Sequence, residues 1–142
     1  MRFTKHVLLS VLFFSVNSML SAQNHTDDIV GYYLTEDPFT GVISQIYIYN
    51  AGNNVYEAML VWVDNEEGQK YIGLVFLKGM IFNAKDNEWQ NAVIVYPGKS
   101  GKFKAYMRFE KDGRLRVRSY WGFSLLGLTL HWPKEKESRN NK

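Results

Sequence analysis

The chain contains no cysteine, which excludes disulfides, thiolate metal centres and thiol nucleophiles together. Its stability therefore rests on packing. Proline is scarce at 3 residues against 11 glycines and 15% aromatic residues, a balance that suits strands joined by tight turns better than a helical bundle. No apolar run reaches the roughly 20 residues that a membrane-crossing helix needs. Histidine is limited to three positions, and His6 lies in the leading segment, leaving His25 and His131 for the body of the chain. Two such distant histidines build neither a Ser-His-Asp triad nor a multi-histidine metal site.

That leading segment reads as a secretory signal. Arg2 and Lys5 supply a positive start, Val7 to Val16 an apolar run broken by Ser10 and Ser15, and Ser18 to Ala22 small residues suited to cleavage. Residues 1–22 are thus expected to be removed, leaving about 120 residues in a periplasmic or secreted protein that is not an integral membrane protein. With no cysteine after the apolar run, a lipid-bearing N-terminal cysteine is excluded.

The sequence pI near 9.0 does not point to nucleic acid. Cleavage removes two of 17 basic residues and none of the 14 acids, so 15 face 14. Nucleic-acid affinity rests on many phosphate neutralisations, and this near-neutral domain lacks the basic excess that supplies them.

At this length the chain holds one domain, residues 29–134, preceded by a loose lead-in at 23–28 and followed by a charged tail at 135–142. Alternating runs broken by Gly, Asn and Asp predict strands near 29–34, 42–49, 55–64, 71–77, 80–82, 89–96, 102–110, 114–120 and 126–132. One wet and one dry face per strand, repeated along the chain, describes an antiparallel up-and-down β-barrel of about eight strands. The best-determined piece is the hairpin at Lys111, Asp112 and Gly113. A three-residue turn sets Phe109 opposite Leu115 and Met107 opposite Val117, keeping apolar residues on one face, with Glu110 across from Arg114. Gly113 then takes the left-handed conformation. In the hairpin over 42–64, Gln45 and Glu57 mark the wet face, Ser44, Ile46, Ile48, Tyr56, Ala58, Leu60 and Trp62 point inward, and Ile48 pairs with Tyr56.

Candidate chemistry is sparse. His131, beside Trp132, reads as a strand residue rather than a catalyst. Asp27-Asp28, Glu36-Asp37 and Asp64 with Glu66-Glu67 read as solvated turn carboxylates rather than a glycosidase pair. Cleavage after Ala22 exposes Gln23-Asn24-His25, whose free amine, backbone nitrogens and His25 imidazole form a potential square-planar copper or nickel site. Lys102, Lys104, Arg108, Arg114, Arg116 and Arg118 share the outer face of one hairpin, as a solvated face or as a surface for anionic lipid head groups or an acidic partner. Tyr33, Trp62, Trp89, Phe103 and Trp132 are the rings expected to line or fill the barrel, and an eight-stranded barrel is wide enough for one small ligand at most.

The stretch Leu115-Arg116-Val117-Arg118-Ser119-Tyr120-Trp121-Gly122-Phe123-Ser124-Leu125-Leu126-Gly127-Leu128-Thr129-Leu130-His131-Trp132 resembles the ending L-x-V-R-G-Y-x-G-x-x-L-L-G-x-T-x-x-W of the bacterial family called domain of unknown function 2147. Gly79, Trp89, Ile94, Pro97, Gly101, Lys102 and Phe103, with Val61-Trp62 and Gly31-Tyr32-Tyr33-Leu34, are similar to that family's upstream pattern. The resemblance implies export and a lipocalin- or streptavidin-like barrel; it supplies no active site. Tyr33 stands where the family's opening Trp would be, Ser119 for a Gly, Leu128 for an Arg, and Lys134 for a terminal Arg. The resemblance therefore implies a cation and ring contact from Lys134 or Arg118 to Tyr33 that closes one end.

The expectation is an exported barrel, not an enzyme and without cofactor, that binds a small, partly apolar molecule inside. The alternative is a filled barrel acting through Arg114, Arg116 and Arg118 on an anionic envelope component.

Overall fold

The computed structural model of the protein describes residues 25–122 and 127–140. Nine antiparallel strands form one sheet: β1 (Gly31–Glu36), β2 (Ile43–Asn50), β3 (Val55–Val63), β4 (Val75–Asn83), β5 (Glu88–Ile94), β6 (Phe103–Phe109), β7 (Leu115–Tyr120), β8 (Gly127–Trp132) and β9 (Lys134–Glu135). Each of the first eight pairs with the next, and β9 returns to pair with β1, so the sheet curls into a nearly closed barrel.

The hairpin of β6 and β7 has the register its alternation predicts, with Phe109 opposite Leu115, Met107 opposite Val117 and Gly113 at φ +85°. The Glu110 N–H donates to the Arg114 carbonyl, but its carboxylate turns to Arg116 and His131, 3.7 and 3.6 Å away, while Arg114 pairs with Asp112 at 2.8 Å.

Four register shifts bend the strands and depart from simple alternation, one of them between Ala58–Leu77 and Met59–Val75. Between Gln45–Trp62 and Ile46–Leu60, Val61 is the extra residue, so Leu60 and Val63 are buried and Trp62 turns outward. The same hairpin pairs Ile48 with Ala58, and Tyr56 with Asn50, shifting the expected pairing by two residues. In β4, Gly79 at φ +75° absorbs the extra residue between Leu77 and Met80, both wholly buried, so the two strands read over 71–77 and 80–82 are one strand from Val75. The residues before it, Glu67–Tyr71, form a 3₁₀ turn. In β5, Asn91 at φ +64° does the same between Trp89 and Ala92.

The far end of the barrel is plugged. Thr26–Ile29, read as lead-in and first strand, form a 3₁₀ turn whose Ile29 is wholly buried. The Thr26 and Ile29 carbonyls accept hydrogen bonds from Trp89 Nε1 at 2.9 Å and the Tyr33 hydroxyl at 2.8 Å, and Asp27 accepts one from the Tyr56 hydroxyl at 2.6 Å. Lys134 Nζ lies 5.8 Å from the Tyr33 ring centre and donates to the Asp28 carbonyl, the cation and ring contact the sequence comparison implied. Above this plug Tyr33, Ile48, Tyr56, Leu77, Met80, Trp89, Met107 and Leu115 fill the interior.

The segment after Pro133, read as a charged tail, runs through residue 140 along the outside of β2. Gln45 points outward as read, yet it is wholly buried: its Nε2 donates to Glu135 Oε1 and the Glu137 carbonyl, and its Oε1 accepts from the Arg139 N–H. Arg139 forks onto both Glu135 oxygens at 2.8 Å and lies 4.9 Å from the Trp62 ring centre.

Candidate functional site

The barrel is solid at the plugged end and hollow at the other. The hollow is a cavity of about 240 Å³. Ile46, Leu60, Val63, Phe76, Leu130 and Trp132 give it apolar walls, Ser44 and Tyr96 add hydroxyls, and the ends of β1, β3 and β5 form its mouth. These positions follow from the fold: β2 and β3 send alternate residues inward until the bulge at Val61 resets the phase, so Leu60 and Val63 both face the hollow.

A slot opens its wall. β8 pairs with β7 only as far as Trp132, and β1 pairs with β9 only at Tyr32 and Tyr33, so upper β1 and β8 share no ladder. A second concavity of about 350 Å³ lies there, and shares Glu36, Asp37, Leu130 and Trp132 with the first.

Of the five rings expected inside, Trp132 alone lines the cavity. Tyr33 and Trp89 belong to the plug at the far end, and Trp62 lies outside the wall under Arg139. Phe103 is half-buried beside the mouth, 5.1 Å from the Tyr96 ring and 6.1 Å from that of Phe39. Trp132 is 4% exposed, and its Nε1 is a buried donor without an acceptor among the described residues. Such a donor costs about 1–3 kcal/mol when left unpaired.

The electrostatics of the mouth are mixed. Glu36, Asp37 and Glu67 stand on the rim with Lys70. Asp37 Oδ1 accepts from the Phe39 and Thr40 N–H groups, which fixes the first loop. Burial, with the nearby Asp37 charge, raises the Tyr96 hydroxyl above the usual phenol pKa, and that hydroxyl donates to Ser119 Oγ at 3.2 Å. Burial likewise drives the Tyr33 hydroxyl well above its ordinary value.

Of the three arginines, Arg114 flanks the turn just before β7 with its Nε on Asp112, while Arg116 and Arg118 project from the strand. Arg116 stands directly across from Arg108, with Glu110 beside it, and Arg118 donates to Thr129 Oγ1. His25 is exposed, its backbone N–H donates to Asp28 Oδ2, and Gln23 and Asn24 of the metal motif lie outside the described residues.

Residue alternation placed Leu60 inward but missed Val42, Val63, Leu74 and Phe76 as wall residues. The available signal was loop length. The turns at 51–54, 84–87 and 111–113 are tight and polar, whereas 64–74 and 95–102 are long and carry apolar residues, which marks the second set as the open end.

Among solved structures, a protein from the human pathogen Helicobacter pylori, described as belonging to the lipocalin family, is similar with a TM-score of 0.65 and 14% identity, over 78% of this chain and 84% of that one. That likeness shows the fold. No curated protein matches the sequence. A family model described as "Uncharacterized protein conserved in bacteria (DUF2147)" matches residues 31–134, and with nearly three quarters of its length inside that match the chain belongs to this family of lipocalin-like barrels.

Proposed function

We propose that the protein is exported and that its barrel binds a small, partly apolar molecule in the cavity at the open end. The observation that carries this reading is the half-filled interior: packing is complete around the plug and stops at Ile46, Leu60 and Trp132, where a recessed, largely apolar surface is left. A folded chain gains by filling such a space, so a hollow with a mouth is more useful as a site than as a core.

Size narrows the ligand. The cavity is smaller than the roughly 300–1,000 Å³ of sites for drug-sized molecules. Burying about 200 Å² of apolar ligand surface at about 25 cal/mol per Å² contributes roughly 5 kcal/mol. That only matches the lower end of the roughly 4–15 kcal/mol lost on association. Polar contacts must supply the surplus, and the lining residues Ser44 and Tyr96 carry hydroxyls, that of Tyr96 already donating to Ser119 Oγ. The reading is therefore a compact apolar molecule bearing a hydrogen-bond acceptor.

Native mass spectrometry of protein taken from its own envelope tests both parts: the N-terminus should begin near Gln23, and an added small-molecule mass should accompany the folded chain. Leu60→Phe, which pushes a ring into the cavity, should remove that mass. An added mass retained at full occupancy in Leu60→Phe would place the ligand elsewhere, and a chain kept whole in the cytoplasm would end the export reading.

A further inference from the structure

The molecule is polarised in two respects that the cavity does not use. The first is apolar exposure. Among the described residues six large hydrophobics are exposed: Phe39, Leu74, Val95, Trp121 and Leu128 lie in or beside the loops of the open end, Leu74 also lining the cavity, and Ile81 lies elsewhere. Trp121 is 74% exposed. The turns at the plugged end carry no large apolar residue. Exposed tryptophan at one extremity costs solubility unless something covers it.

The second is charge. From Trp89 to Lys134 the sequence holds nine basic residues, and its acids are Glu110 and Asp112, both in the turn at the plugged end. Lys104 and Arg118 stand on the outer face of β6 and β7 beside Tyr106 and Tyr120, and Lys99 and Lys102 continue that field into the loop between β5 and β6. Arg108 and Arg116 face each other directly across the ladder. Glu110 Oε1, 3.7 Å from Arg116, offsets part of that repulsion.

We propose that this corner of the barrel, the exposed Trp121 with the basic outer face of β6 and β7, docks on the surface of an anionic phospholipid bilayer. The chemistry of the two halves fits that partner. An indole is stable where apolar and wet layers meet, and lysines and arginines around it gain from the negative surface potential. An acidic protein would match the cations as well, and failure to pellet with anionic vesicles would point to it.

The test is co-sedimentation with vesicles of phosphatidylglycerol mixed into phosphatidylcholine, against phosphatidylcholine alone. The protein should pellet with the first and stay in solution with the second, and raised salt should release it. Its tryptophan emission should shift to the blue on binding, and Trp121→Phe should abolish the shift. Lys102→Glu with Lys104→Glu, both exposed positions, should weaken binding about tenfold or more. Leu60→Phe should bind vesicles like the parent chain, which separates this surface from the cavity. Equal pelleting with both vesicles, no pelleting with either, or undiminished binding by the double variant would each overturn the proposal.

Discussion

Trp89 and Trp132 are both buried, but Trp89 donates to the Thr26 carbonyl while Trp132 has no acceptor among the described residues. Removing an N–H therefore has opposite consequences at the two sites. Trp89→Phe strands the Thr26 carbonyl and loosens the plug, with an expected loss of about 1–3 kcal/mol in urea unfolding. Trp132→Phe deletes an unsatisfied donor, which offsets its lost contacts, and should cost clearly less; an equal cost would mean that Trp132 is satisfied within the chain. The tyrosines give a pH signature. Burial raises the hydroxyls of Tyr33, Tyr56 and Tyr96. A raised folded pKa contributes stability that is fully present below the ordinary phenol value of 10.0 and is lost as pH rises from there through the folded value. Melting temperature should thus fall steeply above that pH, and Tyr33→Phe should flatten the fall.

Between strands, the tightest constraint is Gly127. A Cβ there would overlap the Ser119 carbonyl and the Tyr120 backbone across the β7–β8 ladder. Gly127→Ala should cost about 1–3 kcal/mol or more in thermal unfolding, because both colliding groups are main chain and cannot turn away. The tail makes a second element-level prediction. The Arg139 fork, with Gln45, holds the Glu135 carboxyl below its usual range. A depressed pKa contributes stability present above the ordinary carboxylate value and lost as pH falls through the folded one. Acid should therefore release the tail from Gln45 and Trp62, seen as a change in Trp62 emission in a Trp121→Phe background, and Glu135→Gln should show the released signal already at neutral pH. Alternation made the β6–β7 hairpin legible down to its register, since Phe103 to Phe109 and Leu115 to Val117 keep a strict period of two. It failed at Trp62, where one extra residue reverses every later side chain.

Taken as a single body, the barrel divides its interior between a plug that stabilises it and a hollow that does not. Leu60→Phe exchanges part of that hollow for ring volume, so stability should change by no more than about 1.5 kcal/mol while binding of the co-purified molecule is lost. A large destabilisation would show that the space is already packed. Closure is another property no single strand carries. Pro133 cannot extend the ladder of β8, and the chain turns there to pair Lys134 and Glu135 with β1, which shuts the lower seam and leaves the slot beside Trp132 above it.

Composition and alternation were enough to establish an all-β barrel, the register of its best hairpin and the basic face of β6 and β7, because these depend on nearest neighbours along a strand and across a turn. Which rings face the hollow, what seals the far end and where the tail lies came from contacts between residues up to about a hundred positions apart, such as Trp89 with Thr26, Lys134 with Asp28 and Arg139 with Gln45. Such pairings leave no periodic trace in the chain, since each is made once, by closure of the sheet on itself.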